Sequence, residues 1–261
     1  MDVLQHNREA WNRQSTSGDS RWCEPVDAAT IAAARAGDWE LILTPTLTVP
    51  STWFGDIHDA RVLCLASGGG QQAPVLAAAG AEVVSFDASD EQLGKDQLVA
   101  EREGLAIQLE RGDMADLSRF PDGSFDLIFH PVANVFAQAI RPVWQESHRV
   151  LADGGRLLSG FMNPCFYLFD HEDIEQGGPL AVRFRLPFAD INDLDEGAKQ
   201  ARIAAGEAME FSHSLDDQLG GQLEAGFLIA GFYEDRWDDE ATSLNGYMPT
   251  SMATLAIKGS L

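Results

Sequence analysis

The chain has 261 residues, 45% of them hydrophobic, and its 41 acidic against 18 basic side chains give a formal net charge of −23. This length can bury one substantial core, so we expect a single domain over residues 1–261. Affinity for nucleic acids and anionic membrane surfaces comes mainly from Lys and Arg, so the charge argues against both as partners.

Two further observations predict a cytoplasmic protein. No apolar run is long enough to span a bilayer, and the N-terminal residues MDVLQHNREAWNR lack the pattern of a signal peptide. The cysteines Cys23, Cys64 and Cys165 are odd in number and widely spaced. They predict small buried apolar residues, and neither a disulfide framework nor a metal site is expected.

Residues 1–52 are expected to form a segment that covers the domain. Residues 4–11 suit a short helix anchored by Trp11, and residues 12–27, rich in Ser, Gly and Asp, suit an ordered loop or lid. Residues 28–36 predict an alanine-rich helix. None of these segments is expected to fold alone.

A strand, a glycine turn and a helix follow from residue 61. The apolar run VLCL (62–65) leads directly into ASGGG (66–70), and residues 71–79 predict a helix. Glycine lets the backbone approach a ligand closely, and N–H groups at a helix start point toward the same place. The next strand, VVSFD (83–87), ends on Asp87, where a carboxylate can accept hydrogen bonds from both hydroxyls of a ribose. The pair predicts a nucleoside-containing ligand.

The alternation of strands and helices then continues. Further strands are predicted at residues 107–110, 125–130, 156–161, 227–233 and 252–258, and helices at 89–103, 137–151 and 214–225. Repeated β–α units imply a parallel sheet with helices on both faces.

Residues 163–212 interrupt this rhythm. Three prolines and several acidic clusters predict an insertion, in which the alternating run AVRFRL (181–186) indicates a hairpin or a loop. Insertions of this kind often cover a site.

Two ligand classes compete for the glycine turn. Read as Gly68-x-Gly70-x-x-Ala73, the turn matches the G-x-G-x-x-A form of a dinucleotide site, so an NAD(P)-dependent oxidoreductase is the main alternative. That alternative is disfavoured because a long segment precedes the turn and no Tyr-x-x-x-Lys or other hydride-transfer signature appears.

Over roughly residues 53–261 the chain resembles class I S-adenosylmethionine-dependent methyltransferases of the small-molecule type. The family's first motif, apolar-apolar-acid-apolar-Gly-x-Gly-x-Gly, lies over residues 62–70, with Cys64 in place of the acid and Ala66 in place of the first glycine. Any contact that the acid normally supports must therefore come from elsewhere. Asp87 matches the ribose-binding acid, and Gly112-Asp113-Met114 looks like the segment that receives the adenine.

The resemblance implies an α/β fold with a doubly wound, mostly parallel seven-strand sheet, a Rossmann-like methyltransferase fold whose last strand is antiparallel. Residues 1–52 would form the N-terminal helical cap or lid, 53–162 the cofactor-binding half, 163–212 an insertion after the fifth strand over the acceptor pocket, and 213–261 the C-terminal helix and strands. The implied function is S-adenosylmethionine-dependent methyl transfer to a small-molecule acceptor. A non-catalytic S-adenosylmethionine-binding protein is the second alternative, because the first motif departs from the family at two positions.

Candidate site residues follow from the same resemblance. His130, at the carboxyl end of the fourth strand, is predicted to be a general base or else to contact the cofactor or shape the pocket wall. Trp11 is predicted either to stack over the cofactor or substrate or simply to pack. The run His171-Glu172-Asp173 predicts a solvated loop, since consecutive residues cannot all face one metal ion. The predicted cofactor-binding residues are Trp11, Ala66, Ser67, Gly68, Gly70, Asp87, Ala88, Asp113, Met114, His130 and Asn134.

Overall fold

The computed structural model describes residues 1–18, 20–238 and 241–259. Its centre is a seven-stranded sheet in the order β3-β2-β1-β4-β5-β7-β6. The strands are β1 (Arg61–Leu65), β2 (Glu82–Asp87), β3 (Ile107–Arg111), β4 (Phe125–His130), β5 (Leu151–Met162), β6 (Phe227–Asp235) and β7 (Ser251–Lys258). Strands β1 to β5 are parallel, and β7 runs antiparallel between β5 and β6. The predicted doubly wound sheet with an antiparallel last strand is confirmed.

The helices begin and end largely where capping residues predict. Ser89 caps α5 by accepting a hydrogen bond from the Gln92 amide, and Gly104 ends that helix with φ 66°. The α-helices are α1 (Val3–Ser17), α2 (Ala28–Arg35), α3 (Ser51–Phe54), α4 (Gln72–Ala78), α5 (Asp90–Glu103), α6 (Arg141–Val150), α7 (His171–Glu175), α8 (Asp190–Asp193), α9 (Glu196–Ala205) and α10 (Gly221–Glu224). Within the described ranges, no helix is both long and apolar enough to cross a membrane.

Both faces of the sheet are covered, which explains the continuous apolar run of β1. Val62 and Cys64 join a core with α2 and α4 on one face, and Leu63 and Leu65 join a core with α6 on the other. Alternate side chains of a strand point to opposite faces, so a strand buried on both sides must be apolar throughout. Because β1, β2 and β4 run parallel, their carboxyl ends lie at one edge of the sheet.

Two predicted boundaries differ for identifiable reasons. The fifth strand was predicted to begin at residue 156, but pairing begins earlier: Phe125 pairs with Leu151, Leu127 pairs with Arg156, and residues 152–155 bulge out between these pairs. The helix expected from residue 137 begins only at Arg141, because a short 3-10 turn (Asn134–Phe136) precedes it.

Helix α1 forms a roof over the carboxyl edge of the sheet and is longer than predicted, extending into the segment expected to be a loop. Near one end, Asn7 Nδ2 donates to the Met209 carbonyl oxygen (2.9 Å) and Asn7 Oδ1 accepts from the Met209 amide (2.8 Å). Further along, Asn12 Oδ1 accepts a hydrogen bond from Ser89 Oγ at 2.6 Å. The helix thus spans from the insertion to the start of α5.

The insertion between β5 and β6 shares a small apolar core with the end of β5 and the turn after β4. Val135, Met162, Tyr167 and Phe188 are buried together there. Residues 181–186, all of them described, form no paired strands, and the alternating run makes only one isolated bridge, between Phe169 and Val182. Of the two predicted possibilities for this run, the structure therefore has the loop.

Candidate active site

The turn after β1 needs glycine for both conformation and space. Gly69 and Gly70 have φ values of 122° and 79°, which residues with a Cβ rarely adopt. A Cβ on Gly69 would lie 2.6 Å from the carbonyl oxygen of Trp22, and one on Gly70 would lie 2.8 Å from Cβ of Pro25. The N-terminal segment therefore packs directly on the turn. Ala66 tolerates a φ of 49° at the position of the missing first glycine.

Three successive amides of this turn are hydrogen-bonded within the protein. Gly68 donates to Asp87 Oδ2 (3.1 Å), Gly69 to the carbonyl oxygen of Gln92 (3.0 Å) and Gly70 to Asp96 Oδ1 (2.7 Å). Since these donors are occupied, the glycines contribute a close approach of the backbone to a ligand, and not free N–H groups.

Asp87 lies beside the turn at the end of β2, where it was predicted. Its two oxygens accept from the Gly68 amide (3.1 Å) and the Ser89 amide (2.8 Å). Each carboxylate oxygen can accept a further bond, so the half-buried side chain can still receive two hydroxyl groups. Burial raises the pKa of Asp87, and the amide bonds oppose this rise.

The segment after β3 forms a flat recess next to Asp87. The Gly112 amide donates to the Asp87 carbonyl oxygen (3.0 Å), and a Cβ on Gly112 would lie 2.2 Å from Cζ of Phe86. Asp113 and Met114 line the recess; Asp113 Oδ1 accepts from the Ala115 amide at 2.9 Å. A carboxylate beside a thioether suits an aromatic base that carries an exocyclic amine.

These residues fit an adenosine-containing cofactor. Asp87 offers acceptors for ribose hydroxyls, and glycine at position 112 lets the segment after β3 pack against the ring of Phe86, with which any Cβ would collide. Asp113 and Met114 line the same recess, as the resemblance to the adenine-binding segment predicted. The side chains of this protein therefore form a site that can hold S-adenosylmethionine.

A cavity of about 970 Å³ extends from this recess under α1 to the insertion. Trp11 lines it and packs edge-to-face on Phe136, with ring centroids 5.1 Å apart, so both predicted roles of Trp11 fit its position. Of the predicted cofactor residues, the cavity wall contains Trp11, Ala66, Ser67, Gly68, Asp87, Ala88, Asp113 and Met114.

Three of the predicted cofactor residues do not line this cavity: Gly70, His130 and Asn134. His130 is fully buried, with Nδ1 2.8 Å from the Leu65 carbonyl oxygen and Nε2 2.5 Å from Asn134 Oδ1. Burial lowers the pKa of His130, and its hydrogen bonds with Leu65 and Asn134 oppose this lowering. This arrangement gives His130 no direct route to a substrate and favours a positioning role.

The far end of the cavity carries a titratable pair that sequence reasoning missed. Tyr167, in the 3-10 turn after β5 (Pro164–Leu168), donates its hydroxyl to Glu210 Oε2 at 2.7 Å, and both residues line the cavity. Burial raises the pKa of Glu210. Asp190, Arg202 and Glu207 are the other charged groups around it. The insertion lacks periodicity, so no pattern in the sequence could have singled out this pair.

The run 171–173 was predicted to be a solvated loop, but it begins helix α7, with His171 partly buried. His171 stacks on Phe166 with ring centroids 3.6 Å apart, and its Nε2 lies 2.8 Å from the Phe166 carbonyl oxygen. Across the described residues, no group of three His, Cys, Asp or Glu side chains could hold a metal ion. His171 instead belongs to the wall of the cavity.

Asp96, a second residue missed from sequence, makes the stability of the fold depend on pH. Burial raises the pKa of Asp96 from 3.8 to about 7, with hydrogen bonds from Ser85 and Gly70 opposing the rise and the Asp87 charge adding to it. Between these values the folded protein holds a proton that the unfolded chain has released, so the contribution of Asp96 to the free energy of unfolding falls as the pH rises from about 4 to about 7.

Asp96→Asn cannot titrate. Between pH 5 and pH 8 the difference in unfolding free energy should therefore shift in favour of the variant by roughly 2–3 kcal/mol. Urea unfolding at the two pH values measures this shift. An unchanged difference would contradict a raised pKa for Asp96.

Comparisons with known proteins agree with this site. Residues 63–159 match the family described as a methyltransferase domain. A Bacillus subtilis (strain 168) protein named uncharacterized methyltransferase YbaJ is 47% identical over 256 residues, covering 98% of both chains. A sterol 24-C-methyltransferase of Gibberella zeae is 32% identical over 144 residues, which cover 54% of this chain and 37% of that enzyme.

Solved structures have the same fold. An S-adenosylmethionine-dependent methyltransferase from Mesorhizobium loti superposes with a TM-score of 0.62 at 19% identity, covering 79% of this chain and 94% of that one. A putative S-adenosylmethionine-dependent methyltransferase from Listeria monocytogenes gives a TM-score of 0.61 at 16% identity, covering 80% and 94%. These findings favour S-adenosylmethionine over NAD(P) as the ligand of the glycine turn. The chain belongs to the class I S-adenosylmethionine-dependent methyltransferases, as its motifs predicted, and S-adenosylmethionine is its cofactor.

Proposed function

We propose that this methyltransferase acts in the cytoplasm on a small-molecule acceptor, which binds at the insertion end of the cavity. One observation carries the proposal: a single cavity of about 970 Å³ joins the Asp87 recess to a second compartment under α1 and the insertion. This volume lies in the range of small-molecule pockets. Helix α1 covers both compartments, so the methyl donor and the acceptor can bind next to each other in a site that excludes bulk water.

The roof supports a small acceptor over a macromolecular one. Asn7 fastens α1 to the insertion through Met209, and Asn12 fastens it to Ser89. A polymer would have to displace this helix to reach the turn. The net charge of −23 also opposes nucleic acid.

The unpaired cysteines support a reducing compartment. Cys23 and Cys64 are buried as predicted, whereas Cys165 is exposed, and all three are free thiols. Structural disulfides are rare in the cytoplasm.

Bound S-adenosylmethionine supplies a methyl group that is already activated on a sulfonium sulfur. The chain must then hold the acceptor in line and, where the acceptor carries a proton, receive that proton. Glu210 supports this second task, because its carboxylate lines the acceptor compartment and Tyr167 fixes one of its oxygens. A carboxylate whose pKa is raised by burial is a stronger base than an exposed one.

Transfer of a labelled methyl group tests the proposal. The protein is incubated with methyl-labelled S-adenosylmethionine and a cell extract, which is then divided by ultrafiltration. We expect label in acceptors that pass the filter, and far less of it with Asp87→Ala. Label confined to retained protein or nucleic acid would contradict a small-molecule acceptor.

A further inference from the structure

Two buried side chains below the glycine turn are linked through Ser85: Cys64 of β1 pairs with Ser85 of β2, and the Ser85 hydroxyl donates to Asp96 of α5. Cys64 and Asp96 are both 0% exposed. Burial, and after it the charge of Asp96, raises the pKa of the Cys64 thiol, as expected when a carboxylate lies close to a thiol. Cys64 stands at the motif position where a carboxylate is otherwise found.

Both oxygens of the Asp96 carboxylate accept hydrogen bonds within the protein. Its Oδ1 accepts from the Gly70 amide at 2.7 Å, and its Oδ2 accepts from the Ser85 hydroxyl on β2 at 2.5 Å. These bonds connect the turn, the second strand and α5. A buried amide without an acceptor is costly, and a thiol accepts hydrogen bonds only weakly. Cys64 therefore cannot replace Asp96 as the partner of Gly70.

The conformation fixed by this bond governs the neighbouring amides. Gly69 and Gly70 have positive φ values, and the Gly68 amide donates to Asp87, which lines the recess. A change in the backbone conformation of Gly70 would therefore move the Gly68 amide, two residues earlier, and with it the hydrogen bond to Asp87.

We infer that Asp96 of α5 substitutes for the acid that is missing at position 64. By accepting the Gly70 amide, it holds the glycine turn in the conformation that binds the cofactor. Asp96 is thus a positioning residue, which acts on the cofactor through Gly70 and Gly68. The inference rests on the proposed function, because it assumes that the turn binds S-adenosylmethionine or its product S-adenosylhomocysteine.

The test exchanges the acid between the two positions. Wild type, Asp96→Ala, Cys64→Asp and the double variant Cys64→Asp/Asp96→Ala are titrated calorimetrically with S-adenosylhomocysteine, and each melting temperature is measured without ligand. We expect Asp96→Ala to weaken binding at least tenfold and the double variant to return to within about threefold of wild type. Cys64→Asp alone should lower the melting temperature, because two buried carboxylates then repel one another.

Two milder variants keep the test decisive if Asp96→Ala does not fold. Asp96→Asn retains an oxygen for Gly70 and can donate to Ser85, so its Kd should stay within about threefold of wild type. Ser85→Ala frees one end of the carboxylate and should weaken binding two- to fivefold. Glu101→Ala, on the exposed face of the same helix, is the matched control and should change nothing.

The possible failures are distinguishable. If wild type does not bind S-adenosylhomocysteine, the proposed function falls. If wild type binds and Asp96→Ala binds equally well with only a lower melting temperature, Asp96 is merely structural and the inference is overturned. A double variant that binds no better than Asp96→Ala would also overturn it.

Discussion

Replacing Asp87 by alanine is expected to weaken binding of S-adenosylhomocysteine by roughly 10²-fold, because charge-assisted hydrogen bonds to two ribose hydroxyls are lost at about 1.5–3 kcal/mol each, partly offset by water. The side chain also fixes the Gly68 and Ser89 amides at 3.1 and 2.8 Å. Its loss therefore loosens the turn as well. Isothermal titration calorimetry measures the affinity, and circular dichroism verifies that the variant is folded.

The control lies on the same strand. Glu82 is exposed at the opposite end of β2, so Glu82→Ala changes the charge equally and should leave the affinity unchanged. Because burial raises the pKa of Asp87, wild-type affinity should also fall as acidification protonates this carboxylate. Equal affinity for wild type and Asp87→Ala would place the ribose elsewhere.

Replacing Glu210 by glutamine is expected to lower kcat by 10²–10⁴-fold with an acceptor that must lose a proton, the usual effect of removing a general base. The amide oxygen can still accept from Tyr167, so the pocket should keep its shape. Affinity for S-adenosylhomocysteine should stay near that of wild type. Steady-state kinetics and calorimetry on the same preparation separate the two effects.

His130 and Glu207 provide the comparison. Glu207→Gln alters an exposed acid that also lines the cavity and should change kcat little. His130→Ala removes contacts with Leu65 and Asn134, so it should mainly lower the melting temperature. If His130→Ala lost 10²-fold or more in kcat while remaining folded and Glu210→Gln did not, His130 would be the base, which is one of the roles that the sequence left open for it.

Local chemistry made the cofactor half of the molecule predictable. The apolar run of β1 must be buried on both faces, and the glycines after it must accept positive φ values. Met114 was placed in the recess by the family resemblance, but Asp87 was placed there from its position at the end of a strand. Order along the chain was sufficient there, because the carboxyl ends of neighbouring parallel strands meet at one edge.

The residues that were missed depend on contacts distant in sequence. Glu210 reaches Tyr167 across 43 positions, inside an insertion without periodicity. Asp96 did leave a signal, since it falls among the buried residues of α5, beside Leu93 and Val99. An acid on an apolar helix face indicates a buried partner, but the partner itself, Gly70, is known only from the fold.

Calorimetric titration of the wild-type protein with S-adenosylhomocysteine and, separately, with NADH shows directly which ligand the glycine turn and Asp87 bind. The site geometry predicts saturable one-to-one binding of S-adenosylhomocysteine and no heat of binding with NADH. At a hundredfold excess over Kd, the same ligand should stabilise the fold by about 2.7 kcal/mol. Saturable binding of NADH without binding of S-adenosylhomocysteine would contradict the assignment of the glycine turn and Asp87 to the methyl donor.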